Sequence, residues 1–336
     1  MSTKMHRRDF LTVTAAAAAG GLLAPMLTSP ALAAGEKPGE GMYFRLNTHG
    51  GDDPFWAVVK QGMMDAAELY GCKAEIDLAG SDLANQQKKF EEAVASKPNG
   101  IAVVINNDDA WDKPVADALE AGIPVIGINN DDAKGPAGNK RLCYIGQSEV
   151  NAGYMLGLKL FNTAKEQGVD LANAHVAMAA EVPTANYAVL RSTGVKKAME
   201  EFGITSFEMI DGGGIDMTTN EQRITAYLLA HPETSFMLGA GGICTDRLTS
   251  SLKNAGKAAG EVIAGGFDAA PGTVEGLKSD YVLASIDQQQ YLQGYFAVAV
   301  LVIYNLYGLT PNIETGGYLI TKENLGLIEK LAGKYR

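Results

Sequence analysis

The sequence has few of the residues from which most metal sites and disulfide frameworks are built. Its 336 residues include 3 cysteines, 4 histidines and 2 tryptophans. Cys72, Cys143 and Cys244 are far apart in the chain, and their spacing indicates neither a zinc site nor a disulfide framework. We interpret them as small buried side chains, although an oxidising compartment leaves a pair between two of them open.

Positive charge is scarce as well. The chain carries 28 Lys and Arg against 39 Asp and Glu, which gives a formal net charge of −11. An acidic protein is repelled by phosphate backbones and by anionic lipid surfaces. We therefore expect no nucleic acid and no membrane surface among the partners. A transcription regulator would need a basic helix-turn-helix near the amino end, which this sequence lacks.

Long apolar runs are confined to the start of the chain. Residues 13–27 are apolar, follow Arg7 and Arg8, and precede the small residues at 31–33. A basic start, an apolar middle and an A-x-A end are typical of an export signal. Arg-Arg-Asp-Phe-Leu resembles the twin-arginine signal of proteins exported already folded, with an ordinary secretory signal as the alternative. We predict a signal over 1–33, a linker over 34–40 and a periplasmic location.

Motifs that would indicate an enzyme are absent. There is no P-loop, no H-E-x-x-H and no G-x-S-x-G. The glycine-rich segment 239–242 begins like a dinucleotide loop but has Cys244 where a third glycine belongs. The acidic pairs at 108–109 and 131–132 lack the spacing of a calcium loop. We expect no enzyme, no cofactor and no metal site, and keep an enzyme acting on a small sugar as the alternative function.

What the sequence does contain is a repeated alternation of strand and helix. Short runs rich in β-branched residues alternate with longer segments of helical period. This order favours parallel sheets with helices on both faces. We predict an α/β protein with two doubly wound parallel sheets, and a (β/α)₈ barrel is the structural alternative. The predicted strands are 42–46, 74–78, 101–105, 124–128, 176–179, 207–210, 236–238, 262–264 and 282–286. The predicted helices are 54–70, 82–95, 111–121, 150–167, 185–202, 218–231, 245–255 and 289–307.

Polar residues follow almost every predicted strand. In open α/β sheets, ligands bind beyond the carboxyl ends of the strands, so these residues should meet at one rim of each sheet. Amides and carboxylates match the paired hydroxyls of sugars, and Phe55 and Trp56 offer flat faces for a sugar ring. An anionic ligand would need more cations, so the pattern predicts a neutral sugar or polyol. Turn formation and helix capping are the alternative reading, which does not account for the glutamines at 288–290.

Several segments together resemble the periplasmic sugar-binding proteins of ABC importers, the ribose-, galactose- and autoinducer-2-binding group of type I. The resemblance runs from about residue 42 to 324. The segments that carry it are Asp53-Pro54-Phe55-Trp56, Pro124-Val125-Ile126-Gly127-Ile128-Asn129-Asn130, Ala230-His231-Pro232-Glu233, Gly265-Gly266-Phe267-Asp268, Ser285-Ile286-Asp287-Gln288 and the stretch 315–324.

This resemblance implies two lobes joined by a hinge of three strands, with the ligand between them. Lobe one would comprise 41–147 and 289–317, and lobe two 148–288 and 318–336. The residues implied to contact ligand are Asp53, Phe55, Trp56, Asn129, Asn130, Arg191, Asp268 and Gln288. A second set of candidates comprises Asn47, His49, Asn186, Tyr187, Asp216 and Asp287.

The implied function is capture of a sugar or polyol by a monomer, for delivery to an ABC permease and its ATPase. A sensor that feeds a chemoreceptor is a further alternative. Two departures from the ribose-type pattern leave the ligand open. Asn129-Asn130 stand where an Asp-Arg pair is usual, and the glycine-rich segment 239–242 replaces a polar side chain.

Overall fold

The computed structural model describes residues 37–80, 82–332 and 334–336. The predicted export signal and the start of the linker lie outside the described residues. Within them, no helix combines the length and apolar character that a membrane crossing requires.

The first of two six-stranded sheets has the order β11-β5-β4-β3-β1-β2, and all its neighbouring strands are parallel. All of it except β11 comes from the first half of the chain. Its strands are β1 (Tyr43–Thr48), β2 (Lys73–Leu78), β3 (Gly100–Val103), β4 (Val125–Asn129), β5 (Tyr144–Gly146) and β11 (Ile313–Glu314). The helices between them are α1 (Pro54–Tyr70), α2 (Leu83–Ala95) and α3 (Asp108–Glu120), and α9 (Gln290–Tyr307) returns to pack against α1.

The second sheet repeats this arrangement with the order β12-β10-β9-β8-β6-β7, in which only the edge strand β12 is antiparallel to its neighbour. Its strands are β6 (His175–Ala180), β7 (Ser206–Asp211), β8 (Thr234–Gly239), β9 (Ile263–Phe267), β10 (Ala284–Asp287) and β12 (Tyr318–Thr321). Its helices are α4 (Glu149–Glu166), α5 (Asn186–Phe202), α6 (Met217–Ala230), α7 (Gly242–Asn254), α8 (Pro271–Lys278) and α10 (Leu325–Glu329).

The predicted fold class is therefore confirmed, since the strands form two separate, mostly parallel sheets rather than one closed barrel. Each sheet is covered by buried apolar clusters. The predicted elements omit β5, β11, β12, α8 and α10, because elements of two to eight residues carry too few positions to show a clear period.

The chain passes from one sheet to the other three times. It crosses between β5 and α4, between β10 and α9, and between β11 and β12. The connections at the crossings are short. Residues at the carboxyl ends of β1, β4, β6 and β9 line one cavity between the two sheets.

Local sequence explains how α1 is placed. Asp53 accepts a hydrogen bond from the Trp56 backbone nitrogen at 3.2 Å and Pro54 occupies the first turn, both of which favour a helix start. The helix ends at Gly71, whose φ of 74° is left-handed. The start of α1 is thereby fixed at the edge of β1, which is where the cleft residues must lie.

In each half, the first helix of the lobe meets a second helix through a pair of glycines. In the first half, Gly62 on α1 faces Gly294 on α9, and a Cβ on Gly294 would collide with the Val59 carbonyl oxygen. In the second half, Gly153 on α4 and Gly194 on α5 meet in the same way. Backbone lies directly against backbone at both contacts, so neither pair has room for a side chain.

We predict that Gly294→Ala lowers the free energy of unfolding by about 1–3 kcal/mol, because α9 must move away from α1 to admit the methyl group. Urea denaturation followed by circular dichroism measures the change. Gly326→Ala is the matched control, since Gly326 is exposed on α10 with no atom near the added Cβ. Equal effects of the two substitutions would contradict this account of the α1–α9 contact.

Candidate functional site

A cavity of about 310 Å³ lies between the two sheets and is lined from both. Its size falls at the lower end of small-molecule sites. All eight residues of the first predicted set line it, together with His49 and Tyr187. Stretches of chain more than 200 residues apart therefore meet around a single space.

The wall from the first sheet comes from the start of α1. Asp53 caps the helix and also lines the cavity, so its role as a cap leaves it placed where a ligand could contact it. Burial raises the pKa of the Asp53 carboxyl against the opposing hydrogen bonds from backbone nitrogens. Phe55 and Trp56 meet edge to face at a centroid distance of 5.1 Å and both reach the cavity. Their faces give the site its apolar surface.

Asn129 and Asn130 end β4 and bring two amides to the same wall. Asn129 has a φ of 63°, a left-handed conformation that asparagine tolerates better than most residues. Its side-chain nitrogen donates to Gln293 Oε1 at 3.1 Å, which ties the cavity wall to α9. Both asparagines are almost fully buried.

His49 lies on the same rim and is uncharged near neutral pH. Burial, and then the charge of Arg191, lower its pKa to about 4. Its ring packs against Trp56 with centroids 5.3 Å apart. Because Arg191 is on the wall formed by the second sheet, its charge acts on His49 across the cleft.

Arg191 is the central cation of the opposite wall and is only 3% exposed. Its Nε donates to Glu149 Oε2 at 2.6 Å and Nη2 donates to Glu149 Oε1 at 3.1 Å. Nη1 donates to the Ala240 carbonyl at 2.7 Å, and Nη2 also donates to Gln288 Oε1 at 2.8 Å. The guanidinium stacks 4.0 Å from the Phe267 ring centroid. Arg191 is therefore a buried, fully engaged cation of the wall rather than a solvated charge on the surface of α5.

Asp268 and Gln288 complete this wall. Gln288 Nε2 donates to both Asp268 oxygens, at 2.9 and 3.1 Å. Burial raises the pKa of Asp268 to about 7, although Arg191 and Gln288 favour the charged form. The helix after Asp268 begins at Pro271 with Ala270 as its N-cap, so Asp268 does not cap it. The carboxylate remains directed to the site.

Four residues of the second predicted set lie outside the cavity lining. They make contacts elsewhere: Asn47 donates to the Gln86 carbonyl, Asn186 donates to Asp108 Oδ1 at 2.6 Å, Asp216 caps α6, and Asp287 contacts the Gln289 backbone nitrogen and Arg336. The Asn186–Asp108 bond joins the two halves beside the cleft.

Sequence reasoning missed Glu181, which lines the cavity directly after β6. Its Oε1 accepts from the Cys244 backbone nitrogen at 2.9 Å, and its Oε2 accepts from the Tyr187 hydroxyl at 2.9 Å. The rule that ligand-facing polar residues follow strands would have found it, had it been applied to β6. The other polar residues in the lining that were not predicted are Gln86, Asn106, Asn107, Thr184, Asp246, Gln290 and Arg336.

Buried amides connect the cavity to all three crossings between the sheets. Gln147, at the first crossing, donates to Glu149 Oε2 at 2.7 Å and to Gln288 Oε1 at 3.3 Å. Gln293 donates to the Gln288 carbonyl at 3.2 Å and to Thr315 at 3.3 Å. Since Gln288 and Thr315 stand at the second and third crossings, the polar groups of the site and of the crossings form one network.

Comparison with known proteins agrees with this geometry. The periplasmic binding protein domain matches residues 45–305. The chain belongs to the periplasmic binding protein family. The resemblance to the type I sugar-binding members is thereby confirmed.

The relatives of this periplasmic binding protein include sugar-binding proteins. The xylose/arabinose-binding protein XylF of Sulfolobus acidocaldarius is 28% identical over 289 residues, 81% of this chain and 69% of that protein. A periplasmic sugar-binding protein of an ABC sugar transporter from Legionella pneumophila superposes with a TM-score of 0.72 at 29% identity, covering 82% of this chain and 100% of that one. A carbohydrate transporter protein from Acidothermus cellulolyticus, in complex with myo-inositol, superposes at 0.77 with 24% identity over 87% of this chain and 98% of that one, a likeness of fold.

The three cysteines are all within the described residues of this periplasmic binding protein and none forms a disulfide. Over residues 37–80, 82–332 and 334–336, no three His, Cys, Asp or Glu side chains come together in a way that could hold a metal ion.

The raised pKa of Asp268 predicts a pH dependence of stability. The pKa of Asp268 is about 7 in the folded state and about 4 in the unfolded chain, so the folded state binds this proton more tightly. The contribution of the proton to the free energy of unfolding is therefore full below about pH 4 and is lost as the pH rises through 7. From pH 4.5 to 8 we expect the parent to lose up to about 4 kcal/mol relative to Asp268→Asn. Urea denaturation of both proteins at each pH measures this difference. The lowered pKa of His49 makes stability rise with pH instead, but this effect is common to both proteins and cancels in the comparison. A pH-independent difference would contradict a raised Asp268 pKa.

Proposed function

We propose that this chain is the substrate-binding component of an ABC importer, which captures a sugar or polyol in the cleft and delivers it to a membrane permease. The observation that carries the proposal is the cavity itself, which is walled from both sheets by amides, carboxylates and the rings of Phe55 and Trp56. Such groups match vicinal hydroxyls and the apolar face of a sugar ring.

The proposed mechanism is closure of two lobes around the ligand. Lobe one comprises 41–147 and 289–317, and lobe two comprises 148–288 and 318–336, with the three crossings as the hinge. A ligand that contacts Asp53 and Trp56 on one side and Asp268 on the other interacts fully only when the lobes are together, so binding favours the closed form. The permease and its ATPase would read that form, and the binding protein would act as a monomer.

Two observations support closure rather than a rigid cavity. The lobes touch outside the cavity through Asn186 and Asp108, at 2.6 Å. The buried polar network runs from Asn129 through Gln293 to Thr315 at a crossing. Ligand contact at Asn129 is therefore linked by hydrogen bonds to the segment that must bend.

A thermal-shift screen of monosaccharides and polyols tests the function, because a ligand that binds only the folded state raises the melting temperature by mass action. We expect at least one member of the panel to stabilise the protein in a concentration-dependent way. Stabilisation by none of them at millimolar concentration would contradict sugar or polyol capture.

We predict that Asp268→Ala weakens binding of that ligand by roughly 1–3 kcal/mol, because it leaves ligand donors without an acceptor in a buried site. Isothermal titration calorimetry measures the change. Asp112→Ala is the matched control, since Asp112 is exposed on α3 outside the cavity. Unchanged affinity of the Asp268 variant would show that this carboxylate does not contact the ligand.

We further propose export to the periplasm by the twin-arginine route, on the basis of Arg7 and Arg8. Replacement of both by lysine is expected to leave the precursor in the cytoplasm, as measured by cell fractionation and signal cleavage. Lys4→Gln, which removes a charge outside the pair, should leave export unchanged. Normal export of the double-lysine variant would indicate the general secretory route.

A further inference from the structure

The charged residues that line the cavity do not balance one another. They are Asp53, Glu181, Asp246, Asp268, Arg191 and Arg336. Three of these six are in ion pairs with residues that do not line the cavity: Arg191 with Glu149, Arg336 with Asp287, and Asp246 with Arg247.

The other three are Asp53, Glu181 and Asp268, and among the described residues none of them has a cation within ion-pair distance. Glu181 adds to the rise in the pKa of both Asp53 and Asp268 after the larger effect of burial, although the charge of Arg191 favours the ionised form of Asp268. Asp53 comes from lobe one and the other two from lobe two. Buried negative charge without a counter-charge is unfavourable, and a cation placed between the lobes would relieve it.

Within the described residues, three residues of the cavity lining have a side-chain oxygen without a hydrogen-bond partner. Gln86 Oε1, Asn130 Oδ1 and Gln290 Oε1 have no hydrogen-bond partner in the described part of the chain, and these residues are 0%, 2% and 4% exposed. The orientation of Gln86 is fixed, because its Nε2 donates to the Val104 carbonyl at 2.9 Å. All three atoms are acceptors. Two nitrogens of the described lining also have no hydrogen-bond partner, His49 Nδ1 and Arg336 Nη1, but Arg336 is already in an ion pair with Asp287.

On the wall formed by the second sheet, most hydrogen-bond donors of Arg191 already have acceptors within the protein. Arg191 donates four hydrogen bonds, to Glu149, to the Ala240 carbonyl and to Gln288. A ligand rich in acceptors would find few free donors there, whereas one rich in donors meets carboxylates and amide oxygens.

The glycine-rich segment 239–242 leaves room in the cavity wall for the carboxyl groups of Glu181 and Asp268. A Cβ on Gly241 would collide with the Glu181 carboxylate, and a Cβ on Gly242 would lie 2.7 Å from Asp268 Oδ2. The side chain that the ribose-type pattern places in this segment is therefore replaced by space that two acidic groups occupy. The absence of that side chain thus affects both the volume of the cavity and the number of acidic groups in its wall.

We propose that the ligand of this cleft is a polyhydroxylated molecule that carries a protonated amine, such as an amino sugar or an amino cyclitol. This inference rests on the proposed function and narrows its substrate class. The ammonium group supplies N–H donors and one positive charge to the space between Asp53, Glu181 and Asp268. The scarcity of cations in the sequence, which led to the expectation of a neutral ligand, argues against an anion but not against a cation.

The test compares matched pairs of probes that differ in one group. D-glucosamine, D-galactosamine, D-mannosamine and an aminodeoxy-inositol are titrated calorimetrically at pH 7 against D-glucose, D-galactose, D-mannose and myo-inositol. We expect the tightest ligand to be an amine that binds at least ~10-fold more tightly than its hydroxyl partner. Its N-acetyl derivative, where one exists, should lose this advantage because the amide is uncharged.

Glu181→Gln and Asp53→Asn test the assignment to these carboxylates, and thermal melts verify that each variant is folded. Each is expected to reduce the amine-to-hydroxyl affinity ratio by ~10-fold. Asp112→Asn, an exposed acid on α3, should leave that ratio unchanged. Two variants from different lobes guard against a local folding defect in either one.

The outcomes separate this inference from the function on which it rests. Tighter binding of a hydroxyl probe than of its amine partner would overturn the cationic ligand while leaving sugar capture intact. An affinity ratio unchanged in both variants would overturn the role of Glu181 and Asp53. Binding of no probe from either series at millimolar concentration would overturn the cationic ligand, while the wider thermal-shift screen decides whether sugar or polyol capture stands.

Discussion

The buried ion pair between Arg191 and Glu149 organises the site. A guanidinium that is 3% exposed is stable only with a carboxylate against it, and Glu149 supplies two hydrogen bonds to it. Glu149 begins α4, directly after the first crossing between the sheets, and also accepts from Gln147 at that crossing. The position of Arg191 in the cleft therefore depends on the geometry of the hinge, and Gln288 and Asp268 are in turn placed by Arg191.

Much of this arrangement could be predicted from the sequence, for physical reasons that differ from element to element. The bounds of α1 were predicted as the structure has them, because Asp53, Pro54 and an apolar stripe mark the start and the buried face. The buried run at 101–105 indicated a central parallel strand, which β3 is. Strands β5 and β11 were missed because each is held in place by its neighbours in the sheet rather than by its own pattern.

The sequence identified many of the residues that line the cavity, but not the ion pair that neutralises Arg191. Asp53, Trp56, Asn129 and Asp268 could be identified because each stands at a strand end or a helix start and carries a group suited to hydroxyls. Glu149 could not be identified, since it lies in the first turn of a helix, where an acidic residue is ordinary. The pairing of Arg191 with Glu149 depends on residues 42 positions apart and becomes evident only when the helices are packed. Until that pair is known, Arg191 counts as a free cation that offsets one of the carboxylates of the cleft.

The bond between Asn186 and Asp108 has a consequence of its own. It joins the two lobes at a point where neither side chain lines the cavity. Under the lobe closure proposed above, the residues that line the cavity would determine which ligand binds, and the Asn186–Asp108 bond would influence how long the closed form persists. A biosensor with a faster or slower response could then be made by substituting Asn186 or Asp108 while the residues that line the cavity are kept. A rigid receptor with a single lobe does not offer this separation.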